Sequence, residues 1–196
     1  MATKEEIQEK EKTETQTSAN VNGTGSLKEF FLDSLKDMLW AENALLTGLQ
    51  KMKKAATNEE LVEAFEDHEF QTKRHVARIK RVFEMLGEKA ETKKCLAMEG
   101  LLKEAEEIIG STPEGTATRD AALIIAAQKV EHYEIASYGG LVQIALTLDH
   151  VEIANLLEKT LNEEEDTDYI LTEIAESFIN FEAATEDSGD VENTEN

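Results

Sequence analysis

The chain has 196 residues, 40% of them hydrophobic, which is enough for one good core. Its 20 Lys and Arg against 42 Asp and Glu leave a net charge of −22, a field that repels phosphate backbones and anionic headgroups and so argues against nucleic acid and membrane partners. No run of 18 apolar residues occurs, Lys4, Glu5, Glu6 and Glu9 stand where a signal peptide would be apolar, and the lone Cys95 cannot close an intrachain disulfide; a cytoplasmic protein is expected.

Residues 1–25 are rich in Thr, Glu, Lys and Asn and end in Asn22, Gly23, Thr24, Gly25, which predicts a disordered N-terminal tail before a folded domain over 26–181. A first helix is expected over about 27–55, its apolar stripe running Phe31, Leu35, Met38, Glu42, Leu45, Leu49, Met52. Thr57 and Glu60 form a capping-box signature for a second helix that ends at Gly87, with the stripe Leu61, Phe65, His68, Thr72, His75, Ile79, Val82, Leu86. A long crossover comes next, holding a short amphipathic helix (Leu96, Leu101, Leu102, Ala105, Ile108, Ile109) and the loop Gly110 to Arg119. The third long helix covers about 117–147, with Ile124, Ala127, Glu131, Glu134, Tyr138, Leu141 and Ala145 in its stripe. Asp149 and Glu152 give a second capping box, opening a fourth helix (Ile153, Leu157, Thr160, Glu164, Asp168, Leu171, Phe178) that fades near Asn180. Residues 182–196 carry Glu182, Glu186, Asp187, Asp190, Glu192 and Glu195 without Lys or Arg and read as an acidic disordered tail.

Two antiparallel helix pairs joined by one long connection make an all-α chain, a ferritin-like four-helix bundle with a short extra helix in its crossover. All four stripes carry acids or imidazoles at their centres. Burying one unpaired carboxylate costs several kcal/mol, so a compensating charge is needed. Counted from the two turns, Glu42 corresponds to Glu134, Gln71 to Glu164 and His75 to Asp168, while Glu131 is an additional acid of the second pair. Two divalent ions about 3.5–4 Å apart call for this chemistry, bridging carboxylates with terminal nitrogen or oxygen donors. A strict Glu-x-x-His is absent; Gln71 with His75 and Glu164 with Asp168 are four-residue variants that still share a face. Each residue has an ordinary alternative: Glu42 at a helix edge, His68 and His75 as hydrogen-bonded core histidines, Glu163 to Asp166 as a solvated face. Their matched heights favour a dinuclear site at Glu42, Gln71, His75, Glu131, Glu134, Glu164 and Asp168. Tyr138, Trp40 and Tyr169 are explained equally by packing or by a redox role, and His132 lies about 100° round the helix from Glu131, facing outward.

Ala41 and Glu42 after an aromatic, the run His68 Glu69 Phe70 Gln71 Thr72 Lys73 Arg74 His75, Cys95 to Gly100, Ala126 to Ala136, Tyr138 Gly139, and Leu161 to Leu171 resemble the YciE/YciF family of bacterial ferritin-like stress proteins. The resemblance spans about residues 27–180. It implies a rubrerythrin-like dinuclear motif on Glu42, His75, Glu131, Glu134, Glu164 and Asp168, and a homodimer. Position 71 is Gln where many relatives have Glu, which removes a charge and a potential bridge. Rubredoxin-type cysteine pairs are missing, so a redox cycle would need an external electron donor. The expected function is a di-iron or di-manganese protein, iron ahead of manganese, handling peroxide, oxygen or Fe(II) during stress as a peroxidase- or ferroxidase-type oxidoreductase. The alternative is a non-enzymatic helical protein whose metal or polar core is structural.

Overall fold

The computed structural model describes residues 25–189. Helix α1 spans Leu27–Ala55 and opens on a reciprocal cap: Ser26 Oγ accepts from Glu29 N at 3.2 Å, and Glu29 Oε2 accepts from Ser26 N at 3.0 Å. Helix α2, Glu59–Leu86, starts one residue later than its expected cap. Asn58 accepts from Leu61 N at 3.1 Å, while the Thr57 hydroxyl is taken by Asp120 at 2.7 Å, a competitor from a distant helix. Gly87 ends α2 in the left-handed region (φ 69), a conformation that only glycine adopts freely.

Helix α3, Leu96–Ser111, is the crossover helix, and α4 comes next over Ala117–Thr147 behind the cap Thr116. The capping box expected at Asp149 does not form. Asp149 takes φ 60 to turn the chain, His150 is the cap without a side-chain bond, and α5 runs Val151–Ile174. A π-helical turn, Ala175–Ile179, then passes into α6, Asn180–Gly189, so the helix continues beyond the end expected near Asn180. The wide turn holds an extra residue and shifts the facing of the residues C-terminal to it. Ile179 therefore points inward and Phe178, expected in the stripe, is 61% exposed. Glu186 of α6, read from sequence as part of the acidic tail, accepts from Ala117 N (2.9 Å) and Thr118 N (3.0 Å) and caps α4. The remainder of both expected tails, 1–24 and 190–196, lies outside the described residues.

The pairs α1/α2 and α4/α5 pack on each other through α2 with α5 and α1 with α4, giving the ferritin-like bundle, and α3 lies across α1 and α4. Gly48 permits that approach: a Cβ there would come within 2.5 Å of Leu102. The apolar core is split. One cluster gathers Leu45, Leu49, Phe65, Leu123, Val130 and Leu171; the other holds Phe31, Leu35, Ile79, Phe83, Leu141 and Leu157. Every long helix places buried polar residues at the level between these clusters. Among the described residues, no helix is long and apolar enough to cross a membrane.

Candidate metal centre

The polar layer is formed by Glu42 of α1, His68 and His75 of α2, Glu131 and Glu134 of α4, and Glu164 of α5, each no more than 2% exposed. Helix geometry sets the pattern: positions seven apart, such as His68 and His75, differ by only about 20° around the axis, and positions three apart lie on one face. His68 Nε2 is 3.3 Å from Glu131 Oε1 and 3.7 Å from Glu164 Oε2. His75 Nδ1 is 2.9 Å from Glu164 Oε1 and 3.5 Å from Glu42 Oε2. Two donor groups result, His68–Glu131–Glu134–Glu164 and Glu42–His75–Glu164, the ligand atoms of each lying within 4.8 Å of one another. Glu164 belongs to both.

The two imidazoles are oriented from outside. His75 Nε2 donates to Glu163 Oε2 at 2.8 Å, and Glu163 is held by Arg78 at 2.6 and 2.9 Å and by Arg74 at 3.0 Å. Arg78 also reaches Thr160 Oγ1 at 3.1 Å. His68 Nδ1 donates to the Gln71 carbonyl oxygen at 3.2 Å, with Thr167 Oγ1 alongside. With each outer nitrogen's proton directed to an acceptor, the inner nitrogen of each ring faces the carboxylates, where a cation would take its lone pair. That is how metal-ligating histidines are ordinarily held.

The layer lacks donors. Among the described residues, the buried side-chain oxygens and nitrogens that receive no hydrogen bond from outside the layer are Glu42 Oε2, His68 Nε2, His75 Nδ1, Glu131 Oε2, both oxygens of Glu134 and both of Glu164, and within the layer His75 Nδ1 faces Glu164 Oε1 at 2.9 Å. All eight belong to these six residues. Glu42 Oε1 is served by the Tyr138 hydroxyl. Without a cation, burial and then repulsion among Glu164, Glu42 and one another push the Glu131 and Glu134 carboxyls well above the usual range. Burial raises Glu42 as well and lowers His68. Burial also works against charge on His75, but Glu164 and Glu42 outweigh it and bring that group to about 10. Divalent cations would satisfy every one of these atoms at once, so the residues fit a metal centre.

Of the positions expected from sequence, Glu42, His75, Glu131, Glu134 and Glu164 converge. Gln71 does not enter the cluster: it lies about 60° round α2 from His68 and supports that ring from behind. Asp168 lies about 40° off Glu164, and its side chain is 24% exposed, accepting from Gln128 Nε2 at 3.2 Å and facing His132 Nε2 at 3.2 Å. Two participants are not assigned by sequence. His68 stands in the stripe, and its seven-residue spacing to His75 is the available signal. Glu163 looks like part of a solvated run, and only the clamp by Arg74 and Arg78 reveals it. Tyr169 is exposed and bonds Glu173, away from the centre.

The family described as Domain of unknown function (DUF892) matches residues 26–184. Protein YciF of Escherichia coli (strain K12) is 45% identical over 159 residues, 81% of this chain and 95% of that protein. The crystal structure of the E. coli stress protein YciF superposes with a TM-score of 0.76 at 44% identity, covering 80% of this chain and 99% of that one. YcfI of Rhodopseudomonas palustris, provisionally described as a structural protein, gives 0.76 at 35% identity, over 79% of this chain and 98% of its own. This chain therefore belongs to the DUF892 family, among the YciF-like helical proteins.

Proposed function

We propose that the chain is a dinuclear metal-carboxylate protein of the bacterial stress response, holding two divalent ions, iron ahead of manganese, and acting on peroxide, oxygen or Fe(II). The observation that carries this is the set of eight buried nitrogen and oxygen atoms that receive no hydrogen bond from outside the layer, contributed by six residues from four helices at one level of the bundle. Carboxylates and imidazoles without a thiolate suit iron and manganese. Cys95 Sγ is engaged elsewhere, 3.0 Å from the Tyr133 hydroxyl. Two adjacent Fe(II) ions held there would supply a pair of electrons to one small substrate, where a single aqueous Fe(II) supplies one.

The protein's own part is positional. Glu164 spans the two donor groups, Tyr138 fixes one oxygen of Glu42, and Glu163 and Gln71 hold the imidazoles with their lone pairs inward. The apolar clusters on either side exclude bulk water, which strengthens every charge interaction within. A cytoplasmic homodimer served by an external electron donor completes the proposal. A structural role is the second reading, favoured by the near-complete burial of all six residues. Stopped-flow mixing separates the two. Protein loaded anaerobically with Fe(II) should consume hydrogen peroxide faster than free Fe(II) and without hydroxyl radical; a rate equal to that of free iron, with radical traps still consumed, leaves the structural role.

A further inference from the structure

The two donor groups are unequal. The first offers four ligand residues, His68, Glu131, Glu134 and Glu164, whereas the second offers three, Glu42, His75 and the shared Glu164. Their free valence differs in the same sense. Both oxygens of Glu134 and one of Glu131 lack any partner in the four-residue group, while in the three-residue group one oxygen of Glu42 is already occupied by the Tyr138 hydroxyl. The first group also gathers three buried carboxyls against the second group's two. An ion placed there removes the greater penalty. It also repels a second cation a few ångströms away in a low-dielectric interior.

We propose that the centre fills in order. The group His68–Glu131–Glu134–Glu164 takes and keeps the first divalent ion. The group Glu42–His75–Glu164 takes the second more weakly and retains an open coordination position for an oxygen donor from outside. Resting on the dinuclear reading above, this ordering supplies its regulation: at scarce metal the protein carries one ion, and two-metal chemistry switches on only at the higher concentration where the second group fills. Glu163 is then a positioning residue for the second step alone, acting through His75, and Gln71 plays that part for the first step, acting through His68.

Anaerobic titration of the full chain with Co(II), followed by visible absorption and by equilibrium dialysis, reads both steps without reference to activity. Two steps are expected, separated by at least about tenfold in Kd, since an outer-sphere partner alone changes metal affinity by about 10–100-fold. Glu163→Gln, which keeps the side chain's length and one hydrogen-bonding oxygen, should weaken the second step by about tenfold or more and leave the first in place, the retained tight step showing that the variant is folded. Glu134→Gln should abolish the tight step. Two indistinguishable steps, or a Glu163→Gln protein that loses the tight ion instead, would overturn the ordering while leaving the dinuclear reading intact. No uptake of Co(II) at all would overturn both.

Discussion

Two buried acidic regions of the bundle look alike in sequence and differ completely in how they are satisfied. Asp120 is 1% exposed, yet it accepts from Thr57 N at 2.9 Å, Thr57 Oγ1 at 2.7 Å and Asn58 N at 2.8 Å. Its carboxylate joins the start of α4 to the turn between α1 and α2 and needs nothing further. Glu134 is equally buried, and neither of its oxygens has a partner. Burial of an acid is therefore not the signature of a metal site. The signature is burial with the donors withheld, repeated on several helices at one level.

The largest effect should come from the satisfied region. Asp120→Ala removes the charged acceptor for two partly buried backbone N–H groups and a hydroxyl, and should cost about 3–5 kcal/mol of stability in chemical denaturation, with or without metal. A loss within experimental error would mean that the turn finds other partners and that the contrast is weaker than drawn.

In the metal-free protein Glu134→Leu should do the opposite, raising stability by about 1–4 kcal/mol, because it replaces an uncompensated buried acid with apolar volume between two apolar clusters. The dependence on pH has its origin in the same burial. Glu131 and Glu134 have folded values raised above those of the unfolded chain, so over the interval between those values the folded state binds more protons. Their contribution to metal-free stability is complete below the ordinary carboxylate range and is lost as pH rises through the raised values. Measured against Glu134→Leu, which lacks one of these carboxyls, chelated native protein should lose melting temperature from acid towards neutral pH. A destabilising Glu134→Leu in the absence of metal would show that the carboxyl has a partner after all.

Much of this arrangement is legible in the sequence because the stripes are long. The limits of α1 and α4, the stop at Gly87 and the split of the core by polar residues all come from helical periodicity and one glycine. The features that are not legible depend on contacts across the fold or on a break in the period. Thr57 fails to cap α2 because Asp120, far along the chain, takes its hydroxyl. Phe178 leaves the core because the π-helical turn adds a residue that no regular stripe anticipates. Counting residues from the turns gives the level of each side chain and not its rotation, which is why it places Gln71 and Asp168 inside and passes over His68. The Glu163 clamp joins α2 to α5 and has no local signal.

The smallest effect expected is that of Gln71→Glu. It gives His68 Nδ1 an anionic acceptor in place of an amide, makes the inner nitrogen a better donor, and should tighten the first metal step by up to about tenfold, read by competition with a chelator of known affinity. An unchanged first step, or one that weakens, would mean that position 71 does not act through His68.

The most direct measurement is the metal content of the native chain and of Glu164→Ala after anaerobic loading with Fe(II) or Mn(II) and removal of unbound ions, with melting temperatures taken on the same samples. Because Glu164 belongs to both donor groups, native protein should retain two ions per chain and melt higher than its chelated form, whereas the variant should lose most of both. Native protein that retains no metal and melts at the same temperature with and without it would contradict the dinuclear centre.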